Sequence, residues 1–139
     1  MLIHQSAMEL FEAFLDAKIP NDYRDYLLQK NGETPTANSF DIPGEGMSSI
    51  QYFFPLLSKT KTDALPYKLK LYSGRIPDET LPIGRDPAGN LILLGIKGKD
   101  RNKIFFGNHE NEADDEPQPY YANMKILAQS FKVFLGNLK

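Results

Sequence analysis

Apolar positions fall first at helical spacing, then in short alternating or continuous runs, and finally at helical spacing again. Ser6-Ala7-Met8-Glu9 has the form of a capping box, in which a hydroxyl and a carboxylate take up free amide donors at a helix start. Leu10, Phe11, Phe14 and Leu15 follow as an apolar stripe, so an amphipathic helix is predicted over 6–17. Ile19-Pro20-Asn21-Asp22-Tyr23 opens a second helix, because Pro is tolerated in a first turn and Asn and Asp complement the positive end of the dipole. Tyr23, Tyr26 and Leu27 form its stripe. Asn31-Gly32, the pair that most readily enters the left-handed region, ends it.

Residues 33–49 are rich in Pro, Thr, Asn, Ser and Gly and read as loop around one brief strand, Phe40-Asp41-Ile42. Gln51-Tyr52-Phe53-Phe54-Pro55-Leu56-Leu57 fits a strand whose Pro implies an edge or an end. Tyr67 to Tyr72 alternates like a strand, yet Leu65, Leu69 and Tyr72 sit at i, i+4 and i+7 with Thr62 or Asp63 as cap, and this favours a short helix. Leu81-Pro82-Ile83-Gly84 and Leu91 to Ile96 flank Arg85-Asp86-Pro87-Ala88-Gly89-Asn90, which is turn chemistry, and a second turn leads into Lys103-Ile104-Phe105-Phe106. Three strands joined by short turns make an antiparallel meander. Met124, Leu127, Phe131, Phe134, Leu135 and Leu138 form a closing helical stripe that Ser130 caps if the helix starts late. Helices at both ends and strands between them indicate an α+β fold, one domain over 1–139 with a central, mainly antiparallel sheet.

Composition narrows the function classes. Counting Gly in place of Tyr, about 43% of residues are apolar, near the roughly 45–50% of globular domains and far from a disordered chain. The absence of Cys excludes disulfides, thiolate metal sites and thiol catalysis. A formal net charge of -2 is the opposite of the basic footprint that non-specific nucleic-acid binding requires, so no nucleic-acid partner is expected. The first residues lack the basic region of a signal peptide, and no run reaches the roughly 18 apolar residues of a membrane span, so a cytoplasmic protein without a membrane partner is expected.

Candidate chemistry is sparse. His4 and His109 are the two histidines, far apart and without a ligand motif, and no metal or cofactor is implied. Neither Gly44-Glu45-Gly46 nor Gly84 to Gly89 matches a phosphate-binding loop, and no nucleophile has a base near it in sequence. No catalytic residue is expected. The feature furthest from an average surface is the acidic stretch 110–116, with Glu110, Glu112, Asp114, Asp115 and Glu116, followed by Tyr120 and Tyr121. It reads either as a solvated, self-repelling loop or as a negative docking surface with aromatic anchors for a basic protein.

The order of motifs resembles the SUKH superfamily, the group that includes yeast-type regulators of cell-wall glucan synthesis and many bacterial proteins. The resemblance is carried by Ile19-Pro20-Asn21-Asp22-Tyr23 with Asn31-Gly32, Arg75-Ile76-Pro77, Leu81-Pro82-Ile83-Gly84-Arg85-Asp86 with Gly89-Asn90, Asn108-His109-Glu110, and Ala128-Gln129-Ser130-Phe131 with Phe134-Leu135. It implies the same α+β fold, a helix rather than a strand over 63–72, and structural roles for Pro20, Asn31, Gly32, Pro82, Gly84, Gly89, Ser130 and Phe131. It also implies a protein-binding rather than catalytic role. Bacterial members are commonly immunity proteins that neutralise a cognate toxin, often a nuclease, and fungal members are regulatory scaffolds. Members often carry Trp-Asp before the His-Glu of the third strand, where this chain has Phe106-Gly107-Asn108.

Overall fold

The computed structural model describes residues 3–108 and 124–139. Among them the elements run α1 (Gln5–Leu15), α2 (Asn21–Lys30), β1 (Ser39–Ile42), β2 (Gly46–Ser49), β3 (Tyr52–Phe53), α3 (Leu65–Leu71), β4 (Thr80–Arg85), β5 (Leu91–Gly95), β6 (Ile104–Gly107), β7 (Met124–Ala128) and α4 (Phe131–Gly136). β1 and β2 form a hairpin, and β3-β4-β5-β6-β7 form a five-stranded antiparallel sheet in chain order. The architecture is the expected α+β one, with the meander β4-β5-β6 at its centre.

The central strands are buried on both faces, which is why β5 reads as the continuous run Leu91-Ile92-Leu93-Leu94 rather than as an alternation. Ile92 and Leu94 pair with Phe106 and Ile104, and Phe106 meets Phe40 at a ring separation of 6.0 Å. This face lies under an aromatic cluster from the helices and β3. Phe131 stands 4.9 Å from Tyr23, 5.1 Å from Tyr26 and 5.8 Å from Phe53, edge-on or tilted, a geometry worth about 0.5–1.5 kcal/mol per pair beyond the area buried. Leu91 and Leu93 face the other way, toward Ile76 and Pro77 in the connection between α3 and β4. Pro82 is tolerated inside the sheet because the β4–β5 register shifts between Pro82 and Gly84, a bulge that turns the Ile83 carbonyl toward the Phe54 amide.

Polar side chains hold the layers in register. Glu12 is buried and accepts from the Ile19 amide at 2.9 Å and from Arg24 at 3.2 Å, tying α1 to α2. Asp22 on α2 accepts from the Lys132 amide at 3.0 Å and so helps seat α4. The Lys139 and Ser39 backbones exchange two hydrogen bonds, which places the last residue beside β1.

Several local expectations are corrected. His4, not Ser6, is the N-cap of α1: its Nδ1 accepts from the Ser6 amide, so the capping box is not formed, and the helix ends at Leu15 with Asp16 in the left-handed region. α3 starts without a side-chain cap, at Ala64 rather than at Thr62 or Asp63, with Pro66 early in its first turn. β3 is two residues long because Pro55 cannot continue the ladder. Residues 46–49, expected as loop, pair with β1, since Gly44 and Gly46 supply the tight hairpin turn. Met124 and Leu127 do not belong to the closing helix: residues 124–128 extend the sheet beside β6, and the helix starts late, with Ser130 accepting from the Val133 amide at 3.2 Å.

Candidate protein-binding surface

The residues singled out for structural roles converge on the frame. Pro20 is the N-cap of α2, where its missing N–H costs nothing. Asn31, left-handed at φ +48°, clamps the chain after β3: its Oδ1 accepts from the Leu56 and Leu57 amides at 2.8 and 3.2 Å, and its Nδ2 donates to the Leu57 carbonyl at 2.8 Å. Beside it, a Cβ on Gly32 would stand 2.8 Å from the Phe54 carbonyl oxygen. Gly84 lets β3 approach β4, because a Cβ there would meet the Phe53 ring at 3.0 Å. Gly89 donates its amide to the Asp86 carbonyl inside the β4–β5 turn, and Phe131 is the centre of the aromatic cluster. Pro82 sits at the β4 bulge and Ser130 caps α4, as described above.

The buried carboxylates are likewise committed to the fold. Asp86 accepts from the Ala88 and Asn90 amides at 3.0 and 2.8 Å, from Asn90 Nδ2 at 3.0 Å and from Ser48 Oγ at 2.9 Å, which joins the β4–β5 turn to β2. Asp100 pairs with Lys103 at 2.9 Å. Two phenols are shifted. Tyr23 is held well above the usual tyrosine range by burial and secondarily by Tyr26, and Tyr26 is pushed up to about 12 by burial and then by Glu33. Both belong to the aromatic core. Among the described residues no group of three or more His, Asp or Glu side chains is placed to hold a metal ion, and no helix is long and apolar enough to cross a membrane.

The expected docking residues Glu110, Glu112, Asp114, Asp115, Glu116, Tyr120 and Tyr121 lie outside the described residues, as does His109. What the structure presents instead is an apolar surface on α1 and α3. On α1, Met8, Phe11 and Leu15 turn inward, while Leu10 and Phe14 are 72% and 67% exposed. On α3, Leu65 is buried and Tyr67 and Leu71 are exposed. The two helices flank a groove of about 380 Å³ walled by Phe14, Leu15, Pro66, Leu69 and Lys70, with Asp78 at its edge. Of the four exposed side chains Phe14 lines this groove, and large exposed apolar patches mark interaction sites. The signal was present in the sequence as two i, i+4 pairs, Leu10–Phe14 and Tyr67–Leu71, each offset from its helix's core stripe.

Lys70 and Asp78 are the charged residues of this groove, while Glu9, Glu12 and Asp16 line a second one with Lys18. α1 carries Glu9 and Glu12, with Asp16 at its C-cap, and no Lys or Arg. Lys59, Lys61, Lys68 and Lys70 precede and line α3 against the single acid Asp63. Among the described residues none of these four lysines is ion-paired; Lys68 lies over the Phe54 ring at 4.9 Å. Comparison with known proteins finds that the model of the SMI1 / KNR4 family (SUKH-1) matches residues 3–137. No curated protein matches the chain.

Proposed function

This chain belongs to the SMI1 / KNR4 family (SUKH-1), and from that membership we propose that it is a non-enzymatic protein-binding module, an immunity protein that neutralises a cognate toxin domain. The family match over nearly the whole chain is the observation that carries the reading. Two structural features support it. The buried acids Glu12, Asp86 and Asp100 are each engaged with backbone amides or cations of the frame, Glu12 at the border of a groove that Glu9 and Asp16 also line. Leu10, Phe14, Tyr67 and Leu71 are large, exposed and held on helices, and side chains fixed on regular elements suit a pre-organised binding surface.

On this reading the acids of 110–116 complement a toxin that is basic where it meets phosphate, and they speed encounter. The test is capture of the tagged protein's partner from its own organism, followed by expression of that partner alone and together with this chain. A partner that arrests growth alone and is tolerated in co-expression supports the proposal. A non-toxic partner engaged in wall polysaccharide synthesis replaces it with the regulator reading. Reversing Glu112, Asp114, Asp115 and Glu116 to Lys is expected to slow association at low salt, and unchanged kinetics would remove that stretch from the interface.

A further inference from the structure

We propose that Asn31 is a deamidation site that the fold keeps closed, so that each opening of the segment after β3 exposes the chain to an irreversible chemical change. Asn31-Gly32 is the single Asn-Gly pair of the chain, and glycine, lacking a Cβ, leaves its own amide nitrogen open to attack the preceding side chain. In that reaction the Gly32 nitrogen bonds to Asn31 Cγ, its proton passes to water, and the Cγ–Nδ2 bond breaks to release ammonia and leave a succinimide. Water then opens the ring at either carbonyl and returns a proton to the nitrogen, which gives aspartate or isoaspartate at position 31. In the folded chain the reacting groups are engaged elsewhere. Asn31 Oδ1 accepts from the Leu56 and Leu57 amides, and the leaving Nδ2 donates to the Leu57 carbonyl at 2.8 Å. The backbone on either side is fixed as well, by the Asn31 amide on the Leu27 carbonyl at 2.9 Å and the Glu33 amide on the Lys30 carbonyl at 3.0 Å. Gly32 is buried against the Phe54 and Pro55 backbone, so the peptide that must turn for ring closure has no room to do so. Once the reaction has occurred the clamp is lost. A carboxylate oxygen replaces the Nδ2 donor and faces the Leu57 carbonyl, two acceptors with no proton between them, and isoaspartate lengthens the backbone by a methylene where Gly32 is already in contact.

The full chain, incubated at mildly alkaline pH both folded and in guanidinium chloride, tests the proposal, with the peptide that carries position 31 followed by mass and by isoaspartyl methyltransferase labelling. The folded chain is expected to react at least about tenfold more slowly than the unfolded one, a factor that an opening free energy of only about 1.4 kcal/mol provides. Thr34→Val removes the hydroxyl that accepts from the Phe53 amide at 3.0 Å and so loosens the same segment without touching Asn31 or Gly32. It is expected to raise the folded rate at least about fivefold, with the unfolded rate and the circular dichroism spectrum unchanged. Chains aged in denaturant and refolded should unfold at lower urea than fresh chains carried through the same steps, and Asn31→Asp should reproduce the part of that loss that the carboxylate alone causes. Equal rates in the two states overturn the proposal. So does a folded chain that reacts faster, which is the result if the two amides on Oδ1 activate the carbonyl as an oxyanion hole does. A Thr34→Val chain with the parent's folded rate, or deamidated chains with an unchanged urea midpoint, overturn it equally. The outcome is independent of whether the partner captured from the cell is a toxin.

Discussion

Gly32→Ala and Gly44→Ala separate two costs that usually arrive together. Both glycines lie in the left-handed region, at φ +82° and +76°, where an L side chain costs about 1–2 kcal/mol. Alanine also narrows the unfolded ensemble at either site, returning about 0.4–1 kcal/mol. The difference is what the new Cβ meets. At Gly44 nothing lies within 4 Å, whereas at Gly32 the Cβ would stand 2.8 Å from the Phe54 oxygen and 2.9 Å from both the Phe54 carbonyl carbon and Pro55 Cα. All three are backbone atoms, and the same strap is clamped by the three hydrogen bonds of Asn31 to Leu56 and Leu57, so it cannot swing aside. Overpacking of this kind costs a further 1–3 kcal/mol or so. Gly44→Ala should therefore lose about 1 kcal/mol and Gly32→Ala about 3 kcal/mol, a large part of a domain stability of about 5–15 kcal/mol. Equilibrium urea unfolding of the two variants beside the parent, read as midpoint shifts at constant slope, measures the difference. Losses that agree to within about 0.5 kcal/mol would refute the argument that the Asn31-Gly32 turn is fixed by its contact with Phe54 and Pro55.

Three further outcomes follow from buried polar groups. The Tyr23 hydroxyl is buried without a hydrogen-bond partner among the described residues, so Tyr23→Phe should stabilise by about 1 kcal/mol in the same urea assay, and a loss would show that the hydroxyl is satisfied. Asp86→Ala strands two backbone amides and the Asn90 and Ser48 side chains, and should cost about 3 kcal/mol; a change under about 1 kcal/mol would mean that the β4–β5 turn holds itself. For Tyr26 the folded pKa of about 12 exceeds the ordinary 10.0, so its contribution is complete below pH 10 and is lost as pH rises toward 12. Urea midpoints taken at stepped alkaline pH should fall over that window, less steeply in Tyr26→Phe. Tyrosinate absorbance should show Tyr26 and Tyr23 titrating last, and seven tyrosines titrating together near pH 10 would contradict the burial argument.

Where local and tertiary demands coincide, the chain was legible. The Asn31-Gly32 stop, the turn around Asp86 and the meander are written in residues whose conformational preference is also what packing needs. Where they compete, local reading failed. Ser6 and Glu9 satisfy the capping-box pattern, but His4, two residues before Ser6, accepts from the Ser6 amide and takes the role. Met124 and Leu127 match a helical period, yet pairing with β6 satisfies the backbone of 124–128 and leaves Ser130 to start the helix. On α1 a single stripe of Leu10, Phe11, Phe14 and Leu15 was expected. The helix resolves it into an inward set of Met8, Phe11 and Leu15 and an outward pair, because 3.6 residues per turn cannot bury positions 10 and 11 equally. Leu10 and Phe14 are therefore the part of the α1 stripe that packing leaves exposed.

Charge shows the same gap between an average and its parts. The net -2 is the sum of unlike regions: the described residues hold all 16 Lys and Arg against 13 acids, a balance of +3, and the remaining five acids stand in 110–116. Beyond a screening length of about 8 Å at physiological salt a partner feels little of the far side, so at contact it meets one region and not the sum. Several of the cations are taken up within the frame. Lys103 is paired with Asp100, Arg101 donates to the Lys18 carbonyl, and Lys68 covers Phe54. The lysines that remain near α3 stand beside exposed Tyr67 and Leu71, and cations interleaved with large apolar side chains on a helix suit a protein surface of opposite sign. The acids of 110–116 suit a partner of the other sign.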